Sequence, residues 1–463
     1  MTSAEFVISF FAVLASTVVA GVAAKRSVRK TSDFTNASGR LPSSMVAGAL
    51  VGGFVGGTSI VGTGELAFQY GLSALWFTLG GGLAVILLGL FASRLLQLHV
   101  ETLPELIGTQ YGERAQLGAS IFLSLGMFIQ VIAQLLAALP FVSVFWQAEL
   151  HWLAVVPALL IFAYVLAGGF MGASLVGTLK TVMLVLLLAC TGVWLWRHGS
   201  GETYLRWWTE GRFSLLAPEA NLGWAQGGAM VVGIFSTQAY LQPIFASLNA
   251  REARKGSIAA GIVIILIGIV SAWIGLYMHD VHPNLSPREA IPQFFLSHAP
   301  LWFSGAAYAV ILLSVVMTGA ALTLSIATIL NRDVILRYTS RFDTEKSKLA
   351  LSRALILAVI AIGYVMVCLD SDALILRWAF LAMTLRGVTI FLPLLFYLLR
   401  FGPIDPRWAV WAVWGAPMAA LAWTWLGMPH TGIDPLYVSG IWSLFALCLG
   451  KWTKKTPSLR PLG

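Results

Sequence analysis

The stretch Gly48 to Gly71, GALVGGFVGGTSIVGTGELAFQYG, decides how this chain is read. It is apolar and long enough to cross a bilayer, which takes about 20 helical residues. Yet glycine stands at 48, 52, 53, 56, 57, 62 and 64. Glycine costs about 1 kcal/mol per position in a helix interior relative to alanine. The run therefore predicts a helix that is interrupted, or very tightly packed, near Gly52–Ser59. Backbone released from a membrane helix is tolerated only where it lines a cavity or is buried in protein. In secondary transporters such breaks set bare carbonyls and half-helix ends around substrate and ion. A glycine face for close helix packing is the competing explanation, and the stretch alone does not choose.

The composition sets the environment. Of 463 residues, 58% are hydrophobic and 11% charged, against about 25% charged in soluble domains. This is an integral, all-α membrane protein. The net charge of +9 does not call for nucleic acid, because Lys and Arg fall into two sets of loops that alternate along the chain. One set includes Lys25, Arg26, Arg29, Lys30, Arg94, Arg114, Arg251, Arg254, Lys255, Arg332, Arg337 and the tail Lys451, Lys454, Lys455 and Arg460. The other holds little beyond Arg197, Arg206, Arg212, Arg288 and Arg377. By the positive-inside rule the first set is cytoplasmic. That expectation places the N-terminus outside and the C-terminus inside an inner, plasma-type membrane. The first apolar segment, 5–24, is followed rather than preceded by basic residues, the reverse of a cleaved signal peptide. Cys190, Cys368 and Cys448 have no metal or redox spacing and read as buried inert thiols.

Further spans are expected at 44–70, 74–93, 115–146, 150–168, 172–196, 222–247, 257–279, 301–331, 352–369, 374–400, 408–427 and 435–451, giving about 13 helices in all. The span 222–247 repeats the opening feature: Gly223, Gly227, Gly228 and Gly233, then Pro243. Two interrupted helices five spans apart predict two five-helix halves of opposite orientation, because an odd number of spans inverts the second copy. The binding site is expected between the breaks. The division that follows is 1–43, a core 44–400 with halves 44–196 and 222–400, and a C-terminal pair of helices with a basic tail, 401–463.

At this point the chain resembles the solute:sodium symporter family. The likeness is carried by DFTNASGRLP (33–42), SIVGTGELAFQYGLSALW (59–76), TLPELIGTQYG (102–112) and YVLAGGFMGASLVGTLK (164–180). It continues through QAYLQPIFASLNAREARKG (238–256), PREAIPQFF (287–295) and MTGAALTLSIATILNRDVI (317–335). The resemblance implies an inverted-repeat core of ten helices, a small-molecule substrate, and sodium held between carbonyls at the first break and hydroxyls on the eighth core helix. Carried onto this chain, those positions are Gly52 and Val55, with Ser314, Met317 and Thr318. Met317–Thr318 stands where the family has adjacent hydroxyls, and a thioether suits a hard cation poorly.

The fifth core helix departs further, with Gly177 and Lys180 where the family carries Asp and Gln. Lys180 falls eight residues into its span, about 12 Å deep at 1.5 Å per residue. A lysine at that depth marks a functional site by default. Either its ammonium replaces sodium, allowing proton coupling or uniport, or it snorkels to the inner interface. Glu65 and Arg386 are the other charges at membrane depth, and the resemblance pairs them as an outer gate, or else gives Arg386 a substrate carboxylate. Substrate contacts are expected from Thr58, Ser59, Gln130, Gln134, Ser236, Thr237, Gln238, Tyr240 and Gln242. Each of these could equally serve an interhelical hydrogen bond. The chain carries no Walker-type phosphate loop and no catalytic triad pattern, so the reading is a non-enzymatic carrier without an organic cofactor, its coupling ion sodium, a proton or none. The substrate would be an amino acid or organic acid. A transporter-like sensor acting through a partner is the other reading.

Overall fold

The computed structural model describes residues 3–25, 41–97, 102–145, 148–167, 170–217, 223–339, 344–369, 374–426 and 431–455. Proline 42 cannot extend a helix backward, and α2 (Ser43–Phe54) begins directly after it. The freed Ser43 N–H donates to the Glu252 carboxylate at 2.8 Å, meeting one of the unpaired donors of a helix start. The helix opens at Val55, whose backbone is extended (φ −80°, ψ 100°). It resumes as a wide turn, Thr58–Gly62, and continues as α3 (Thr63–Tyr70). The interruption thus falls inside the expected window. Both explanations of the glycine run hold, for different glycines. Gly48 abuts Thr178, and a Cβ on Gly52 would stand 3.2 Å from the Gly177 Cα, so these two let backbones approach. At Gly71 (φ +69°) the chain turns through a conformation that glycine alone adopts freely.

The second break is built from different residues. The helix α10 (Trp224–Phe235) stops at Ser236–Thr237, and α11 (Gln238–Phe245) follows. Pro243 lies within α11 and is not the break itself. The two broken helices are joined at one end by an isolated bridge between Leu41 and Ser247, with Leu41 N donating to Ala246 O at 3.0 Å.

Around them, α1 (Ala4–Lys25) precedes the first half. That half is completed by α4 (Trp76–Leu90), α6 (Glu113–Ser143), α7 (Leu150–Ala167) and α8 (Phe170–His198). The second half adds α12 (Ala250–Val281), α14 (Leu301–Ile329), α15 (Glu345–Leu369) and α16 (Ile375–Leu398). Two further helices, α17 (Pro406–Leu426) and α18 (Pro435–Lys455), pack on each other and on α16. With each broken helix counted once, these make about 13 crossings. Shorter helices α5 (Leu103–Tyr111), α9 (Gly201–Thr209) and α13 (Ala290–His298) lie in the connections.

Two boundaries differ from expectation. α12 starts at Ala250 rather than near 257 because Asn249 caps it, accepting from Glu252 N at 3.0 Å. α15 starts at Glu345 rather than 352. The cysteines are a correction: Cys190 and Cys448 lie on the outer surface and Cys368 is half-buried. Apolar side chains of a membrane span can face lipid as readily as protein, so sitting in an apolar run does not imply burial inside.

Within the bundle, α2 packs against α8 and α12, while α6 packs against α14 and α16. These contacts bring both breaks, Lys180 on α8, Gln130 on α6 and Arg386 on α16 into one interior region, where all three side chains have no exposed surface.

Candidate substrate and ion site

Lys180 does not reach the interface. Its Nζ donates to Val55 O at 2.7 Å, Gly52 O at 3.0 Å and Ser314 O at 3.4 Å. An ammonium has three protons to donate, and three carbonyls surround this one. Two of those carbonyls are available only because α2 opens at Val55. The approach of α2 that makes the contact possible depends on Gly52, where a Cβ would stand 3.2 Å from the Cα of Gly177, one turn before Lys180. Thr318 Oγ1 donates to the same pair of carbonyls, at 3.3 Å from each. Ser314 turns its hydroxyl back to Val310 O at 2.8 Å. Met317 packs with Leu313 and Tyr164 and presents no oxygen.

The rest of the first break is held by side chains. Gln134 accepts from Gly57 N at 2.7 Å and donates to Thr58 Oγ1 at 3.2 Å. Ser59 donates to Phe54 O at 3.0 Å. At the second break, Ser236 donates to Val232 O at 2.8 Å and Thr237 to Gly233 O at 2.6 Å. The Gln238 oxygen accepts from Leu103 N at 3.0 Å, which ties α11 to α5. Gln242 is half-buried on the same helix. Four of the nine polar residues expected to face substrate, Ser59, Gln134, Ser236 and Thr237, therefore satisfy backbone groups at the breaks instead.

Arg386 is the exception. It crosses Gly126, where a Cβ would meet the arginine Cγ at 2.6 Å. Its Nε donates to Ala382 O at 3.0 Å, and Nη2 donates to Gln130 Oε1 and lies 3.1 Å from Met383 Sδ. Nη1, the Gln130 amide nitrogen and the Tyr240 hydroxyl are buried without a hydrogen-bond partner among the described residues. The Tyr240 ring stands 5.8 Å from that of Phe54, at the edge of the first break.

Glu65 and Arg386 do not meet. Glu65 accepts from Arg288 Nε at 3.3 Å and from Ile375 N at 3.0 Å. Ile375 is the first residue of α16, and Arg386 lies eleven residues further along it, about 16 Å at 1.5 Å per residue. No side chain closes that distance. Arg288 was visible in the PREAIPQFF motif, but only as an outer-loop charge. A second cluster was also missed, at the end of α14. Asp333 accepts from Thr102 at 3.0 Å and from Gln116 at 3.3 Å, and Arg337 bonds Gln116 and Glu113. It clamps α5 and α6 onto that end.

Comparison with solved structures shows the same fold. A Na+-coupled sialic acid symporter in a substrate-bound outward-open state aligns with TM-score 0.77 at 16% identity, covering 98% of both chains. A nucleobase-cation-symport-1 family transporter, closed on bromovinylhydantoin, aligns with TM-score 0.59 at 14% identity, over 92% of this chain and 95% of that one. A manganese transporter of Eremococcus coleocola gives 0.53 at 15% identity, over 92% and 96%. No curated protein matches the sequence. The family model for sodium:solute symporters matches residues 34–401, a span that takes in both breaks, Lys180 and Arg386. The fold, with its five-plus-five inverted repeat and broken first and sixth core helices, is that of a membrane transporter, and the chain belongs to the sodium:solute symporter family.

Proposed function

We propose that this protein is a secondary carrier that moves a small organic metabolite across the inner membrane by alternating access, and that the Lys180 ammonium stands in for a sodium ion. The observation that carries this reading is the set of carbonyls, from Gly52, Val55 and Ser314, around Lys180 Nζ. A sodium ion sharing those oxygens would sit about 3 Å from a second positive charge. At an effective dielectric near 20 that repulsion is about 5 kcal/mol, more than sodium would recover from Thr318 alone. Transport would then be coupled to a proton or to nothing.

In this reading residues 44–400 form the carrier core. The gates are Glu65 with Arg288 on the outer side, and the Asp333 cluster on the cytoplasmic side. Gln134, Thr58, Ser59, Ser236 and Thr237 keep the breaks open, and substrate is met by residues that retain free polar atoms. The family's sodium coupling is the alternative, and it is favoured by the Thr318 hydroxyl still aimed at Gly52 O and Val55 O.

Binding of radioactive sodium to the purified protein separates the two without knowledge of the substrate. The wild type is expected to bind none at millimolar sodium, and Lys180→Ala to gain binding. Stoichiometric sodium on the wild type overturns the substitution.

A further inference from the structure

Resting on the carrier reading above, we infer that Arg386, Gln130 and Tyr240 recognise a small monocarboxylate that lacks an α-ammonium group. Arg386 is a cation with no exposed surface and no ion pair with any carboxylate of the described residues. Gln130 gives its oxygen to the guanidinium, which leaves its buried amide nitrogen as a second donor. The phenol of Tyr240 lies close enough to Gln130 and Arg386 to interact with both, without a well-formed hydrogen bond to either. Three unpaired polar atoms, all able to donate, converge from α6, α11 and α16. A buried donor without an acceptor is destabilising. One carboxylate would satisfy all three and cancel the one charge, with the two-point geometry that arginine favours.

The same region offers almost nothing to an ammonium. The carbonyls of Gly52 and Val55 are taken by Lys180 and Thr318. Phe54 O is taken by Ser59, and Val232 O and Gly233 O by Ser236 and Thr237. Glu65 is held by Arg288 at the outer end. A zwitterionic amino acid would bury its positive group beside two fixed cations. An acid with an uncharged tail would not, and the Phe54 and Phe77 rings, 5.5 Å apart, supply an apolar wall for that tail.

The test is calorimetric titration of the purified protein with propionate, lactate and pyruvate, against alanine and propionamide, in sodium and in choline buffers. At least one of the acids is expected to bind about tenfold more tightly than alanine or propionamide, and Arg386→Met to lose that preference. Gln130→Glu would place a carboxylate on the guanidinium; it should raise the Tm of the ligand-free protein and abolish acid binding, which keeps the idea testable if Arg386→Met does not fold. Alanine or the amide binding as tightly as the acids overturns the inference. So does undiminished acid binding by Arg386→Met. Silence from all three acids, together with a Gln130→Glu protein no more stable than wild type, overturns it as well. Sodium-dependent acid binding would instead overturn the Lys180 reading and leave this one standing.

Discussion

Lys180 and Arg386 are both cations with no exposed surface, yet their surroundings are opposite in kind. Lys180 has a carbonyl for each ammonium proton. Arg386 keeps one nitrogen unpaired, beside two other unpaired donors. The difference separates two uses of a buried charge. A fully coordinated ammonium is part of the framework, because its departure leaves carbonyls bare. A partly coordinated guanidinium is held ready, because something from outside must complete it.

The largest expected effect is therefore at Lys180. Removing it leaves the Gly52, Val55 and Ser314 carbonyls without its three donors, at about 1–3 kcal/mol for each unsatisfied buried group, and Lys180→Ala should lower the Tm accordingly. Sodium, but not choline, should restore part of the loss, since ligand binding to the folded state stabilises by mass action. A Lys180→Ala protein as stable as wild type, and indifferent to sodium, would erase the contrast between the two cations. Next comes Glu65, whose carboxylate holds both Arg288 and the first N–H of α16. Glu65→Ala should cost about 2 kcal/mol, read as a fall in Tm, and should leave Lys180 unaffected. The third is Arg386→Met, where the sign changes. Replacing an unpaired buried charge by an apolar side chain of similar length is neutral or stabilising, here by about 1 kcal/mol. Differential scanning fluorimetry of the ligand-free protein checks it, and a loss comparable to that of Lys180→Ala would mean that Arg386 is framework after all.

How much of this was legible beforehand follows from what determines each feature. The glycine-rich run and the basic loops are local in sequence, so the broken helices and the transporter fold could be read directly. The depth of Lys180 was legible too, because it follows from helix rise alone, but whether its ammonium meets the break or snorkels to the interface was not. The partners of Glu65 were not. Its contact to Arg288 spans more than two hundred residues, and it depends on how α16 and the loop before α13 are packed. The expected pair with Arg386 fails because Glu65 meets the first residue of α16, and a charge eleven residues further along that helix cannot reach it. The hydroxyls at the breaks were visible as polar residues, but that Ser59, Ser236 and Thr237 bond their own backbone depends on rotamers that sequence does not carry.

The smallest effect is the sharpest probe of where the open site lies. Gly53 stands on α2 beside Gly52, yet the two face different neighbours. A Cβ on Gly52 presses on the Gly177 backbone at 3.2 Å, whereas one on Gly53 meets nothing nearer than Tyr240 Cε1 at 4.0 Å. Gly53→Ala should therefore stabilise the ligand-free protein by about 0.5–1 kcal/mol through helix propensity, a small rise in Tm, while Gly52→Ala goes the other way. If the unpaired donors near Tyr240 mark the substrate position, the same methyl that stabilises the empty protein should weaken substrate binding. Stability and binding would then move in opposite directions at one residue. Equal gains in both would place the substrate away from Tyr240 and return Arg386 to the framework.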